Sequence, residues 1–134
     1  MKVTTGVDMI EVFRIKKAIE ELGGPFLKRI YTEREIEYCE KKGKNKYQHY
    51  AARFAAKEAV FKALSEYLNG REDSLWRDIE VLNKEDGRPK INVDSLNKDK
   101  LKNHQSIDIS ISHLNDYAIA SVVAVFSVIG DVDF

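Results

Sequence analysis

The chain has 134 residues, of which 33% are charged and 43% are hydrophobic, and its formal net charge is zero. This length suits one domain with one core, so we expect a single domain over residues 1–134. The balanced charge argues against broad attraction to nucleic acid, although a local basic patch such as Lys41-Lys42-Gly43-Lys44 remains compatible with it. Cys39 is the only cysteine, which excludes an intrachain disulfide and favours a reducing, cytoplasmic environment.

Two segments bear on secretion and on membrane insertion. The N-terminal residues 1–6 lack the apolar core of a secretory signal peptide. The longest apolar run, over residues 117–129, is shorter than the roughly 20 residues needed to span a bilayer. We therefore expect a protein that is neither secreted nor embedded in a membrane.

Helical periodicity dominates the first half of the chain. We predict a strand over residues 3–7 and helices over residues 10–22, 33–42 and 46–68. Thr32 and Glu35 have the spacing of a capping box, which favours a helix start at that point. Asp8 falls at the predicted junction between the first strand and the first helix. The segment over residues 25–30 is ambiguous.

The second half of the chain alternates between apolar and polar residues. We predict strands over residues 78–83 and 89–93 joined by the turn Asp86-Gly87, a short helix over 94–103, and two further strands. Ile107, Ile109 and Ile111 alternate with polar residues in the first of these strands, and residues 117–128 form its antiparallel partner. The predicted fold class is α+β, with an antiparallel sheet and a long helix.

Asp8 and Glu58 are acidic residues in positions where a solvated charge is not expected. On a helical wheel Glu58 lies about 40° from Phe54, and Phe61 lies about 20° to the other side. A carboxylate on an apolar stripe is costly unless it has a partner. Mg²⁺ is a suitable partner, because it typically binds one or two protein carboxylates together with water and substrate phosphates.

Basic residues accompany Glu58 on the same predicted helix. Lys57 and Lys62 lie on either side of Glu58, and Arg53 lies further round. A carboxylate flanked by cations suits a metal-bound polyphosphate, since the metal takes the carboxylate and the cations take the phosphate oxygens.

Each of these signals also has an ordinary structural explanation. Asp8 and Glu11 have the D-x-x-E spacing of a helix cap. Glu58 and Lys62 stand at i and i+4, where a surface ion pair is the default. From spacing alone, the structural and the functional explanations remain equally open.

The predicted strand that ends at His113 carries hydroxyl and imidazole groups beside a turn. At such places Ser110, Ser112 and His113 commonly hydrogen-bond the loop. A serine-histidine hydrolase is a poor fit, because the chain has no Gly-x-Ser-x-Gly elbow. We predict that His49 and His104 are surface residues.

Three segments together resemble the signature motifs of a known family. They are Gly6-Val7-Asp8-Met9-Ile10-Glu11, the run from Arg53 to Leu64 that contains Lys57-Glu58-Ala59, and Ile109-Ser110-Ile111-Ser112-His113. In order and spacing they resemble the 4'-phosphopantetheinyl transferases, in particular the small holo-[acyl-carrier-protein] synthase type. Two weaker segments, Lys28-Arg29-Ile30-Tyr31-Thr32 and Gly87-Arg88-Pro89, extend the resemblance over nearly the whole chain.

The resemblance implies a fold, a reaction and a set of site residues. It implies the 4'-phosphopantetheinyl transferase fold, and transfer of phosphopantetheine from coenzyme A to a serine of apo acyl carrier protein, in support of fatty acid or related biosynthesis. Asp8 and Glu58 would bind Mg²⁺ and, with Lys62, form the catalytic group. Lys62, Arg53 and His113 would contact the coenzyme A phosphates. Pro89 and Ser112 would lie near the nucleotide. The general base stays open between metal-bound water and Glu11.

The resemblance also implies an assembly and a partner surface. Members of this type are usually homotrimers with active sites shared between subunits. The first helix, with Arg14, Lys16 and Lys17, resembles the part that docks the acidic carrier protein. Glu20 and Glu21 depart from that basic character, and the long helix is expected to run further than in the family. The alternative is a catalytically silent relative that binds carrier protein or coenzyme A without transfer.

Overall fold

The computed structural model describes residues 1–96 and 104–127. The helices are α1 (Val12–Leu22), α2 (Gly24–Ile30), α3 (Glu33–Glu40), α4 (Lys46–Ala63) and α5 (Ser65–Leu68). The strands are β1 (Lys2–Glu11), β2 (Glu80–Asn83), β3 (Pro89–Asn92), β4 (His104–His113) and β5 (Tyr117–Phe126). Short 3₁₀ turns cover Gly43–Asn45, Glu72–Ser74 and Trp76–Asp78.

The described strands form one three-stranded sheet and one hairpin. In the sheet the order is β1-β5-β4, and both pairings are antiparallel. Strands β2 and β3 pair only with each other, as the predicted hairpin. The α+β class is therefore confirmed, and so is the antiparallel pairing of the last two strands.

Helix α4 crosses one face of the three-stranded sheet and is buried on most sides. The helix contributes small side chains, among them the fully buried Ala55 and Ala59. Strand β1 contributes Gly6, where an added Cβ would lie 2.0 Å from the Ala59 carbonyl oxygen. Only glycine allows this close approach, because any side chain would collide with backbone rather than with a flexible group. The helix and the strand are thus held in tight register.

A buried ion pair ties α4 to the elements that surround it. The Lys57 ammonium donates to the Glu35 carboxylate at 2.7 Å, and to the carbonyls of Ile30 and Trp76 at 2.8 Å each. The second oxygen of Glu35 accepts from the backbone N–H of Val81 at 2.9 Å. Burial lowers the pKa of Lys57, and the charge of Glu35 opposes this shift. Every donor of the ammonium has an acceptor, which is the condition for burying such a charge.

The capping box at the start of α3 is confirmed. The Thr32 side chain accepts from the N–H of Glu35, and the Glu35 carboxylate accepts from the N–H of Thr32. Glu35 therefore serves two purposes, since the same carboxylate also pairs with Lys57. The ambiguous segment over residues 25–30 belongs to α2.

Three predicted element boundaries were wrong. Strand β2 begins at Glu80 and not at residue 78, because Trp76–Asp78 forms a 3₁₀ turn. Strand β1 continues to Glu11, so Asp8 lies inside the strand and not at its junction with the helix. Strand pairing with β5 extends over the whole length of β1, which outweighs the helical periodicity of residues 10 and 11. The long helix is broken at Leu64, after which α5 occupies four residues and Asn69 adopts a left-handed conformation with φ 52°.

Two further outcomes concern the rest of the chain. The helix predicted over residues 94–103 extends beyond the described residues, which stop at Leu96 before β4. Among the described helices, none has the length and apolarity required to cross a membrane.

Candidate active site

Asp8 and Lys62 meet where β1 passes α4. Even-numbered residues of β1 face the helix, so Asp8 points to the same side as Gly6. The Lys62 ammonium donates to the Asp8 carboxylate at 3.2 Å and to the Val7 carbonyl at 2.9 Å. The close contact at Gly6 brings this part of β1 against α4, because the two positions are one pleat apart.

Glu58 lies one helical turn before Lys62, beside a cavity of about 300 Å³. We call this the acidic cavity; its lining residues are Glu58, Phe61, Lys62, Ser65, Glu72, Asp73 and Trp76. Burial is the largest effect that raises the pKa of Glu58, followed by the negative charge of Asp8. Asp73 and Glu72 raise it further, and Lys62 opposes them. Several carboxylates thus share a space with one ammonium.

The aromatic wall of the acidic cavity explains why Glu58 is partly desolvated. Phe54 stacks on Trp76 with ring centroids 4.9 Å apart, and Phe61 meets the same indole edge-on at 4.9 Å. Glu58 shares a face of α4 with these two phenylalanines, as the helical wheel predicts. Trp76 could not be placed from sequence, because its segment has no periodicity.

The structure removes the helix-cap explanation for Asp8 and the i,i+4 ion-pair explanation for Glu58. Asp8 caps no helix, since α1 begins at Val12 with Glu11 as its N-cap residue and no side-chain cap. Among the ion pairs of the described residues, Lys62 pairs with Asp8 rather than with Glu58. Asp8 is thus held by Lys62, and Glu58 forms no ion pair with any residue that the structure describes.

The expectation that the Lys57 ammonium could take phosphate oxygens beside Glu58 was wrong. Lys57 is fully buried, and its ammonium is used by Glu35 and two carbonyls. A helical wheel gives angles but does not reveal which neighbouring element covers each side. Lys57 holds the fold beneath the site and cannot reach a phosphate.

Arg53 occupies a second pocket, of about 170 Å³, on another side of α4. Its side chain is only 4% exposed, donates from Nη2 to Asn83 Oδ1 at 2.8 Å, and lies 4.0 Å from the centre of the Tyr38 ring. Its Nε is buried and has no partner among the described residues. No described carboxylate forms an ion pair with Arg53. A buried cation that lacks an anion is costly, so this pocket suits a negatively charged ligand.

The Arg53 pocket gathers three of the predicted binding residues. We call it the arginine pocket; it is lined by Tyr38, His49, Ala52, Arg53, Val81, Asn83, Gly87, Pro89, Ile111 and His113. Arg53, Pro89 and His113 therefore come together from α4, β3 and β4. The sequence did not predict that Asn83 and Tyr38 line this pocket, because neither residue belongs to a recognisable motif.

Ser112 does not join this pocket. It is exposed, whereas its neighbour His113 is half-buried on the side that faces α4. Consecutive strand residues point to opposite faces, which separates the two members of the Ser-His segment. Ser112 lies beside Ile119 of β5, on the outer face of the sheet.

His49 and His113 lie against each other at the edge of the arginine pocket. Their rings meet edge-on with centroids 5.0 Å apart, and His113 Nδ1 lies 3.0 Å from Gln48 Oε1. Burial, together with the nearby His113, lowers the pKa of His49 to about 4. The prediction of a surface histidine was therefore wrong for His49. The side chain of His104 lies outside the described part of the chain.

The acidic cavity and the arginine pocket have no lining residue in common. Glu58 and Arg53 are five residues apart on α4, which corresponds to a rotation of about 140° around the helix. The predicted site residues thus fall into two groups: Asp8, Glu58 and Lys62 in one, and Arg53, Pro89 and His113 in the other.

Comparison with known proteins shows the family of the chain. The model of the 4'-phosphopantetheinyl transferase superfamily matches residues 4–122. The chain belongs to this superfamily. The match includes both groups of site residues.

Relatives of known name agree with the superfamily assignment. The holo-[acyl-carrier-protein] synthase of Ruminiclostridium cellulolyticum is 41% identical over 125 residues, which are 92% of each chain. That of Solibacter usitatus is 44% identical over 92% of this chain and 98% of its own.

Solved structures of 4'-phosphopantetheinyl transferases share the fold. The ACPS–CoA complex of Chronobacterium ammoniagenes has a TM-score of 0.80 and 26% identity, covering 95% of this chain and 99% of its own. The holo-[acyl-carrier-protein] synthase of Helicobacter pylori, in complex with coenzyme A, has a TM-score of 0.73 and 34% identity, covering 90% of this chain and 99% of its own.

Proposed function

We propose that this protein transfers the 4'-phosphopantetheine group of coenzyme A to a serine hydroxyl of apo acyl carrier protein, releasing adenosine 3',5'-bisphosphate. The family membership and the two coenzyme A complexes among its structural relatives support this. The observation that carries it is the meeting of Asp8 and Lys62 beside Glu58, at a cavity with an aromatic wall. We further propose that residues 1–134 form one domain, with fatty acid or related synthesis as its pathway.

The metal that we assign to Asp8 and Glu58 is Mg²⁺. Two protein carboxylates, with the remaining positions left to water and substrate phosphate, match its ligand preference. Among the described residues no group of three or more acidic, histidine or cysteine side chains forms a complete metal site. Repulsion between the Asp8 and Glu58 carboxylates contributes to the raised pKa of Glu58. A divalent cation bound between them would offset this repulsion. When bound, the ion would neutralise charge on the pyrophosphate oxygens.

The chain's own residues would position and stabilise the reacting groups. In the reaction the serine oxygen forms a bond to the pyrophosphate phosphorus that carries pantetheine, and the phosphoanhydride bond to the nucleotide breaks. Lys62 is half-exposed and pairs with Asp8, so we assign its ammonium to the charge that develops on the leaving phosphate. The serine proton needs an acceptor. Glu11 is a poor candidate for this step, because it points to the opposite face of β1 from Asp8.

The arginine pocket is the second contact that we assign to coenzyme A. Its buried Arg53, with Nε lacking a partner among the described residues, suits the 3'-phosphate, and His113 and Pro89 line the same space. Ser112 lies on the outer face, so we retain it only as a contact from a neighbouring subunit.

We infer a homotrimer in which neighbouring subunits share each active site. The acidic cavity and the arginine pocket open on different sides of α4. One coenzyme A that contacts both would therefore bind the acidic cavity of one subunit and the arginine pocket of a neighbouring subunit. The sheet face opposite α4 exposes large apolar side chains, which suits burial in an assembly. Those residues are Val3, Val7, Met9, Ile119 and Val123. We call them the outer apolar face.

The carrier protein is proposed to dock on α1. Arg14, Lys16 and Lys17 are exposed there, next to Phe13, which is 65% exposed. Basic side chains around an exposed aromatic ring fit an acidic partner with an apolar spot. Lys17 also forms an ion pair with Glu21 at 3.9 Å, which reduces its free charge. We place the reaction in the cytoplasm, where the buried thiol of Cys39 would remain reduced.

A transfer assay tests the proposed function. The protein is incubated with coenzyme A, Mg²⁺ and an apo carrier protein, and the carrier is weighed by mass spectrometry. We expect the carrier to gain one phosphopantetheine. A protein that binds coenzyme A but modifies none of several carriers would instead be the catalytically silent relative.

A further inference from the structure

Gln48 connects His113 to a second amide outside the arginine pocket. Its Oε1 lies 3.0 Å from His113 Nδ1, and its Nε2 donates to Asn115 Oδ1 at 2.9 Å. Because the amide nitrogen of Gln48 is used by Asn115, the oxygen is the atom that faces the imidazole. An amide oxygen only accepts hydrogen bonds, so this contact is a hydrogen bond when His113 Nδ1 carries the hydrogen.

This arrangement has a consequence for the other ring nitrogen. A neutral imidazole with its hydrogen on Nδ1 has a lone pair on Nε2. Nε2 has no hydrogen-bond partner within the described ranges, and His113 lines the arginine pocket. A lone pair repels a phosphate oxygen, whereas the imidazolium donates from both nitrogens.

We propose that Gln48 is a positioning residue that holds neutral His113 as the Nδ1–H tautomer, so that a phosphate monoester enters the arginine pocket together with one proton. The proton comes from solvent and binds at Nε2, which then donates to a phosphate oxygen. The neutral imidazole and the phosphate dianion become an imidazolium–dianion pair, and no other bond changes. The choice of a phosphate monoester as the ligand rests on the proposed function. The tautomer of His113 rests only on its contact with Gln48.

The other charged groups around His113 are consistent with this role. Helix α4 supplies Arg53 and His49, and α3 with the residues after it supplies Tyr38 and Lys42. The β2–β3 hairpin contributes no charged side chain to the lining. Burial lowers the pKa of His49 to about 4, so this ring stays neutral and can contact an imidazolium without repulsion. Arg53 lines the same pocket, so an anion that enters it meets the guanidinium and the His113 imidazole together.

The tautomer can be measured directly by NMR. In protein with ¹⁵N-labelled histidine at pH 8, we expect the His113 signals of a protonated Nδ1 and an unprotonated Nε2. On addition of adenosine 3',5'-bisphosphate, both nitrogens should show protonated shifts. An Nε2–H tautomer in the free protein would overturn the proposal, whether or not the protein transfers phosphopantetheine. Conversely, absence of transfer would leave the tautomer result standing.

Proton uptake tests the coupling. Titration calorimetry at pH 8 in buffers of different ionisation enthalpy should give uptake of about one proton per bisphosphate bound. Gln48→Met keeps the size of the side chain but removes the acceptor, so the uptake should fall. His49→Phe keeps the edge-on ring and removes the second imidazole, so the uptake should persist. Equal uptake in wild type and Gln48→Met, or its loss in His49→Phe, would contradict the role of Gln48.

Discussion

At the residue scale, Glu58 owes its properties to the groups around it. It lies on the aromatic face that the helical wheel predicts, and its pKa is raised first by burial and then by the charge of Asp8. The wheel could not show Glu72 and Asp73, which reach the same cavity from a segment without periodicity. Local spacing thus predicted that Asp8 and Glu58 are not ordinary solvated carboxylates, but it did not predict the neighbouring charges that shift the pKa of Glu58.

These charges predict a pH dependence. A raised pKa means that Glu58 takes up a proton at higher pH than an ordinary glutamate, so metal affinity and transfer are lost earlier as the pH falls. The double variant Glu72→Gln/Asp73→Asn removes two charges that raise this pKa. The acid limb of the rate profile should move to lower pH, measured as the transfer rate between about pH 5 and 8. An unmoved limb would mean that Glu58 does not control it.

At the element scale, α4 is fixed by small residues on one side and by a buried ion pair on another. Gly6 of β1 permits close contact between β1 and α4. Lys57 of α4 donates hydrogen bonds to α2, α3 and the turn at Trp76. The sequence predicted the helix and the capping box of Glu35, because both depend on neighbours within a few residues. It did not predict the pairing of Glu35 with Lys57, since 22 positions separate them.

The ion pair predicts a non-additive mutational effect. Lys57→Met leaves Glu35 charged and buried, which should lower the free energy of unfolding by about 3–5 kcal/mol. The double variant Lys57→Met/Glu35→Gln removes both charges and should recover part of this loss. Urea unfolding of the wild type, the two single variants and the double variant measures the coupling. Additive losses would show that the two side chains act independently.

At the scale of the whole molecule, the outer apolar face and the two separate pockets are the features on which the proposed homotrimer rests. Alternation was predicted for β4 only, whereas β5 is apolar on both faces and its sequence is typical of a buried strand. In the structure Val123 is exposed between the buried Val122 and Ala124. Periodicity could not tell which exposed face is covered by another subunit, because that depends on contacts between chains.

A charge on the outer apolar face tests the assembly. Val123→Glu should convert trimers to monomers, measured by light scattering after size exclusion, because a buried carboxylate without a partner is costly. Transfer should be lost at the same time, while circular dichroism remains that of a folded chain. Lys84→Glu, at an exposed position of the β2–β3 hairpin, is the control and should change neither property. A monomeric Val123→Glu protein with full activity would refute shared sites.

Asp8 and Glu58 are proposed to form one Mg²⁺ site that drives transfer. The most direct measurement is the rate of carrier modification, followed by mass spectrometry, as a function of Mg²⁺ concentration in wild type, Asp8→Asn and Glu58→Gln. Glu37→Gln, on the exposed side of α3, is the matched control. We predict a loss of about 100-fold or more in both site variants, and wild-type behaviour in the control. Wild-type rates and Mg²⁺ dependence in either site variant would contradict the account.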